Sequence, residues 1–100
     1  MNDDLLFFPC VSDEHVQREK ERARQLRYSR WWRRKCAKGV CHYCGRHVGA
    51  SLLTMDHVVP LIRGGKSDRN NLVPACKECN SKKKYLLPME WGRYVSKSEE

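Results

Sequence analysis

The feature that most restricts this chain is the spacing of four cysteines: Cys41-x-x-Cys44, a long gap, then Cys76-x-x-Cys79. A two-residue spacer lets both thiolates close on one tetrahedral ion, and the spacing occurs twice, which predicts a structural Zn²⁺ site. Four thiolates saturate the metal and leave no open position for chemistry. The chain has 100 residues, so it forms one domain at most. At that size the apolar surface available for burial barely balances the chain entropy, and a staple is expected. Disulfides would need an oxidising compartment. The opening MNDDLLFFPC lacks the basic start, apolar core and small-residue cleavage site of a signal peptide, and no apolar run is long enough to span a bilayer. The expectation is a cytoplasmic protein without membrane association, whose paired thiols bind metal. Cys10 and Cys36 are left over, and Cys36 is expected to pack as a small hydrophobe on a helix face.

The net charge of +8 favours a polyanionic partner. Half of the twenty Lys and Arg lie between Arg18 and Lys38, and a second cluster is Lys82-Lys83-Lys84. Aromatic residues interrupt the first cluster (Tyr28, Trp31, Trp32) and flank the second (Tyr85). Beside catalytic residues, such runs read as nucleic-acid contacts. Candidate DNA-binding residues are Arg27, Arg30, Arg33, Arg34, Arg63, Lys82 and Lys84.

Residues 1–12 read as an apolar arm. Ser12 and Asp13 supply N-cap chemistry for a long basic helix over 13–39, closed by Gly39. Its expected docking stripe is Tyr28, Trp32 and Cys36 at i, i+4 and i+8. Residues 40–95 hold the main domain: a knuckle turn through Gly45, a strand over 52–59 and a break at Gly64-Gly65. A second strand over 72–75 and a helix over 77–85 follow, with a last helix starting at Pro88. The tail 96–100 is expected to fray.

Between the cysteine pairs, Asp56 and His57 stand adjacent on a predicted strand, so their side chains point to opposite faces. Different tasks are the simpler expectation, one residue binding metal and the other handling a proton. Asn80, directly after the last cysteine, adds an oxygen donor. A carboxylate, an amide oxygen and waters suit Mg²⁺ or Mn²⁺.

The block Cys41-x-x-Cys44, Asp56-His57-Val58-Val59-Pro60-Leu61-x-x-Gly64-Gly65, Asn71-Leu72, Cys76-x-x-Cys79-Asn80-x-x-Lys83 resembles the HNH endonuclease family in its zinc-containing branch. The resemblance implies a small α+β fold with a ββα-metal (His-Me finger) core, here preceded by the basic helix. By the same resemblance His57 is the general base, Asp56 and Asn80 hold the catalytic metal, and Asn71 fixes the loop that orients His57. Lys83 is similar to a basic residue near the phosphate. Asn stands where many members carry a final His, which shifts the metal preference further toward Mg²⁺ or Mn²⁺. The implied activity is metal-dependent hydrolysis of DNA phosphodiesters, double-stranded DNA being the expected substrate, with 5′-phosphate and 3′-hydroxyl products. One site on one short chain, a monomer or weak homodimer, nicks one strand per encounter. Alternatives are a non-catalytic zinc module that binds nucleic acid, or a nuclease subunit of a phage packaging or restriction system. A bacterial or phage context fits each of them.

Zinc ligation in a domain this small contributes roughly 10 kcal/mol to folding. A strong chelator is therefore expected to unfold the protein, read as loss of the cooperative circular dichroism melt once metal removal is verified. An unchanged melt would refute a structural zinc site.

Overall fold

The structure is a computed structural model describing residues 11–92. Most of the expected N-terminal arm and all of the tail 96–100 lie outside the described residues. The elements are α1 (Asp13–Arg27), α2 (Arg30–Cys36), β1 (Leu53–His57), β2 (Leu72–Cys76) and α3 (Lys77–Lys83), with short 3₁₀ turns at Ala50–Leu52, Leu61–Arg63 and Arg69–Asn71. This is the small α+β fold expected of the ββα-metal class. A further helical segment starts at Pro88 and runs to the edge of the described region.

α1 starts where its chemistry asks. The Ser12 side chain accepts from the His15 backbone N–H, and Asp13 and Glu14 occupy the first turn. The single helix expected over 13–39 is instead two. At Ser29 the backbone turns extended, and the Ser29 hydroxyl accepts from Trp32 N at 3.2 Å while donating to Leu26 O at 2.6 Å. A serine that caps a new helix competes with the helical propensity of its neighbours, and here it wins. The break also corrects the docking stripe. Tyr28 is 74% exposed, whereas Trp32 and Cys36 are buried with Leu72 and pack beside Leu26, Trp31, Leu53 and Met55. Gly39 lies beyond α2, whose C-cap is Ala37, and it donates to Cys36 O.

β1 and β2 pair antiparallel, Leu53 with Cys76 through His57 with Leu72. Proline within a strand normally demotes it, because it has no N–H for the ladder. Pro74 is accommodated because its carbonyl faces away from β1 and accepts from His42 N at 2.8 Å, so its missing N–H lies on that outer side. β1 is shorter than expected. After His57 the Asn71 side chain, not a strand partner, takes the Val59 backbone: Oδ1 accepts from Val59 N at 2.9 Å and Nδ2 donates to Val59 O at 3.1 Å.

A second cluster holds the knuckle to α3: Cys41, Ala75, Cys76, Cys79 and Trp91 are buried, with Tyr43, Val48, Leu53 and Leu86 packed around them. Gly45 adopts the positive φ of 74° that the turn after Cys44 is expected to need. Gly65 serves a different constraint. A Cβ there would lie 1.8 Å from the Val59 carbonyl oxygen, a backbone atom that cannot step aside. Gly65→Ala is expected to destabilise the protein by roughly 3 kcal/mol through overpacking, measured as a fall in the urea midpoint at constant m-value. An unshifted midpoint would show that the 60–65 loop yields freely.

Candidate active site and metal centre

Among the described residues, the sulfurs of Cys41, Cys44, Cys76 and Cys79 form a cluster within 4.8 Å of one another. Two come from the knuckle turn and two from the junction of β2 with α3. Cys76 is the hinge of the arrangement: it ends β2, caps α3 and accepts from Cys79 N at 3.4 Å. In the other pair the first sulfur accepts from the amide two residues on, Tyr43 N to Cys41 Sγ at 3.3 Å. Burial opposes ionisation of Cys76, yet the Cys79 amide, the Arg46 guanidinium and neighbouring thiols bring its pKa down to about 6. Cys79 goes the other way, pushed up by burial and by its neighbouring sulfurs. Four crowded sulfurs cannot all carry charge unaided, and a divalent cation removes that conflict. The donor set therefore fits a tetrahedral structural metal. Arg46, which no ligand-spacing rule singles out in the sequence, donates to Cys76 Sγ at 3.7 Å and to Glu78 at 3.1 Å.

Asp56, His57 and Asn80 line one open cavity of about 300 Å³ with Val16, Lys20 and Lys84. β1 contributes the first two, and the first turn of α3 contributes Asn80. Buried Asp56 accepts from the Tyr43 hydroxyl and lies 3.2 Å from Lys83 Nζ. Burial and the bond to Asp56 hold the Tyr43 phenol far above its ordinary range, so it stays protonated and can donate to the carboxylate. On the Asn80 side, Thr54 Oγ1 donates to Ala75 O at 2.9 Å and must therefore accept from Asn80 Nδ2, at 2.8 Å. That sets the amide with Nδ2 on Thr54 and leaves Oδ1 as the donor oxygen. A carboxylate, an amide oxygen and an open cavity for water form a hard donor set that fits Mg²⁺ or Mn²⁺.

His57, next to Asp56 on β1, lines the same cavity, and its Nε2 lies 2.9 Å from Ser67 Oγ. Burial lowers its pKa, with Asp56 and Glu19 opposing and Lys83 and Arg27 assisting. Burial thus favours the neutral imidazole.

The other expected site residues fall in different places. The Asn71 side chain binds the backbone of Val59 and Lys66, the latter at 2.8 Å, and so holds the loop that follows the histidine. Lys83 differs from the expected phosphate-facing base. Its side chain is 0% exposed, and it donates to His57 O at 2.9 Å while pairing with Asp56. Arg63 is likewise withdrawn: 16% exposed, it bonds Tyr85 O at 3.1 Å and Glu90 at 3.3 Å. Arg27, Arg30, Arg33 and Arg34 belong to α1 and α2, Arg27 closing the first helix and the other three lying on the second. Lys82 is exposed beside Glu78 at 3.9 Å. Lys84 is exposed at the cavity, with an unusual φ of 46°.

Tyr43, Thr54, Glu19 and Ser67 join the site as well, though none of them is among the site residues expected from the sequence. Two of them carry a signal in the sequence: Tyr43 lies inside the first cysteine pair, and Thr54 is two residues before Asp56 on the same strand face.

Comparison with known proteins fits this geometry. The model of the HNH endonuclease family matches residues 41–85. The chain is 39% identical over 92 residues to the CRISPR-associated endonuclease Cas9 of Corynebacterium diphtheriae, a match covering 91% of the chain and 8% of that protein. With the CRISPR-associated endonuclease Cas9 of Actinomyces naeslundii it is 41% identical over 55 residues, covering 54% of the chain and 5% of that protein. The chain thus spans less than a tenth of the length of the curated relatives it matches. With its paired strands, closing helix and four-cysteine cluster, the segment 41–85 belongs to the HNH endonuclease family.

Proposed function

We propose that the chain hydrolyses DNA phosphodiester bonds, with His57 as general base and Asp56 and Asn80 as ligands of a catalytic Mg²⁺ or Mn²⁺, while Cys41, Cys44, Cys76 and Cys79 hold a structural Zn²⁺. The observation that carries this reading is the convergence of Asp56, His57 and Asn80 on one open cavity beside the four-sulfur cluster. Asp56 and Asn80 would hold the divalent ion, which when bound would supply Lewis-acid stabilisation of charge on the phosphate and its leaving oxygen.

The protein's own groups do the rest. Neutral His57 accepts a proton from a water in the cavity as that water attacks phosphorus. The P–O3′ bond breaks, and the 3′ oxygen leaves and is protonated from solvent, giving 5′-phosphate and 3′-hydroxyl ends. Lys83, held between Asp56 and the His57 carbonyl, keeps the two adjacent residues in fixed relation. Tyr43 and Thr54 orient the two ligand groups. Lys20 and Lys84 at the cavity, and the arginines of α1 and α2 beyond it, supply the positive surface for the DNA backbone. One site of this kind nicks one strand per encounter. No helix of the described residues is long and apolar enough to cross a membrane.

The test is relaxation of supercoiled plasmid by the zinc-loaded protein in Mg²⁺ or Mn²⁺. His57→Ala is expected to slow relaxation by about 10²-fold or more, the usual worth of a general base. Relaxation as fast as wild type would eliminate His57 as the base. Plasmid binding with no cleavage in any divalent ion would favour a non-catalytic zinc module.

The positive surface has its own prediction. Replacing Arg27, Arg30, Arg33 and Arg34 by Gln should flatten the log–log dependence of DNA affinity on salt by about 0.9 for each phosphate that is no longer neutralised. An unchanged slope would place α1 and α2 away from the DNA.

A further inference from the structure

The first helix, which lies outside the segment matched to the family, reaches the histidine through one buried serine. Ser67 is 1% exposed and sits between Glu19 and His57. Its hydroxyl faces the main-chain oxygen of Glu19 and the Nε2 of His57 at the same time. A carbonyl oxygen can only accept, so the Ser67 proton is committed to Glu19. The hydroxyl has no second proton, and its contact with His57 at 2.9 Å requires Nε2 to be the donor. A neutral imidazole carries a single N–H. With that proton on Nε2, the lone pair resides on Nδ1.

From this geometry we infer that Ser67, held by Glu19, is a positioning residue that sets His57 in the Nε2–H tautomer and makes Nδ1 the basic atom. The clamp on Ser67 is double. While the Glu19 main chain takes the hydroxyl proton, the Glu19 carboxylate accepts the Ser67 backbone N–H at 2.6 Å. Glu19 is itself 3% exposed and is flanked by Arg18 at 3.9 Å and Arg22 at 3.7 Å. One turn earlier on α1, His15 Nε2 donates to the Gly65 carbonyl at 3.0 Å, so the helix grips the 65–67 loop at two points. Nothing in this chain of bonds passes through a metal ligand. It explains why a glutamate can be buried on a helix otherwise crowded with arginines.

The inference rests on His57 being the base, and the experiment separates the two ideas. The probe is the zinc-loaded full chain, without added Mg²⁺ or Mn²⁺, labelled with ¹⁵N in its imidazoles. At a pH where His57 is neutral, its two nitrogens are expected at well separated shifts, Nε2 protonated and Nδ1 unprotonated. Ser67→Ala is expected to collapse this separation toward the tautomer mixture of a free imidazole. The same substitution should lower kcat by about 10- to 100-fold, the usual cost of removing a partner that orients a functional histidine, with KM little changed. Ser67→Cys, which replaces the hydroxyl with a poor donor and acceptor, should fall between the two. Should Ser67→Ala not fold, the wild-type spectrum still decides. An Nδ1–H tautomer in wild type, or wild-type shifts and kcat in a folded Ser67→Ala protein, would overturn the inference. If His57→Ala cleaves normally while the tautomer is as stated, the general-base reading fails and the positioning of the ring stands.

Discussion

Cys76 carries the constraint on which the remaining structure depends. It is the last residue of β2, the cap of α3 and one corner of the four-sulfur cluster. Its capping sulfur fixes where the helix begins, and 3.6 residues per turn then decide what the helix presents to the strands. Asn80, four residues on, faces Thr54 across β1, and Lys83, seven residues on, faces Asp56. The spacing Cys-x-x-Cys-Asn-x-x-Lys is thus one geometric object. Its first half places two of the four clustered sulfurs, and the phase of the helix sets its second half against Thr54 and Asp56 of β1.

Burying an ammonium costs several kcal/mol unless its partners are close and well aligned. Lys83 meets that condition with a carboxylate and a main-chain carbonyl, both from β1 and from adjacent residues. Its charge serves the site from inside. Tyr43 joins the same carboxylate from the knuckle side, so Asp56 is held by groups whose positions follow from the cysteine cluster. The cysteine cluster and the cavity of Asp56 and Asn80 share no residue, yet both are indexed to the same sulfurs.

What can be read from the sequence divides along physical lines. The four-cysteine cluster is legible because ligand spacing is local, and Asp56, His57 and Asn80, singled out for their side-chain chemistry, meet at one cavity. The two-strand and helix core follows from β-branched content and Gly-Pro punctuation. The break at Ser29 is not legible, because a cap within a strongly helical stretch competes with propensity and tertiary contacts decide the outcome. Lys83 reads, by resemblance, as a basic residue near the phosphate, and only the fold shows a carboxylate waiting for it. Glu19 and Ser67 are 48 residues apart, and no spacing rule links two common polar residues across such a distance. Arg63 reads as a DNA contact for the same reason, since Glu90 comes near it only after the chain has turned past α3.

Pro74 has a consequence beyond pairing. A two-stranded sheet leaves outer edges, and an open edge is a template on which another strand can add. On the side of β2 away from β1, Pro74 offers no N–H, and its carbonyl is already taken by His42. That edge is closed at its midpoint from both directions, by covalent structure and by occupancy. The sheet is self-limiting there, so a unit of this kind can stand next to other polypeptide, in the same chain or another, without inviting strand addition along β2.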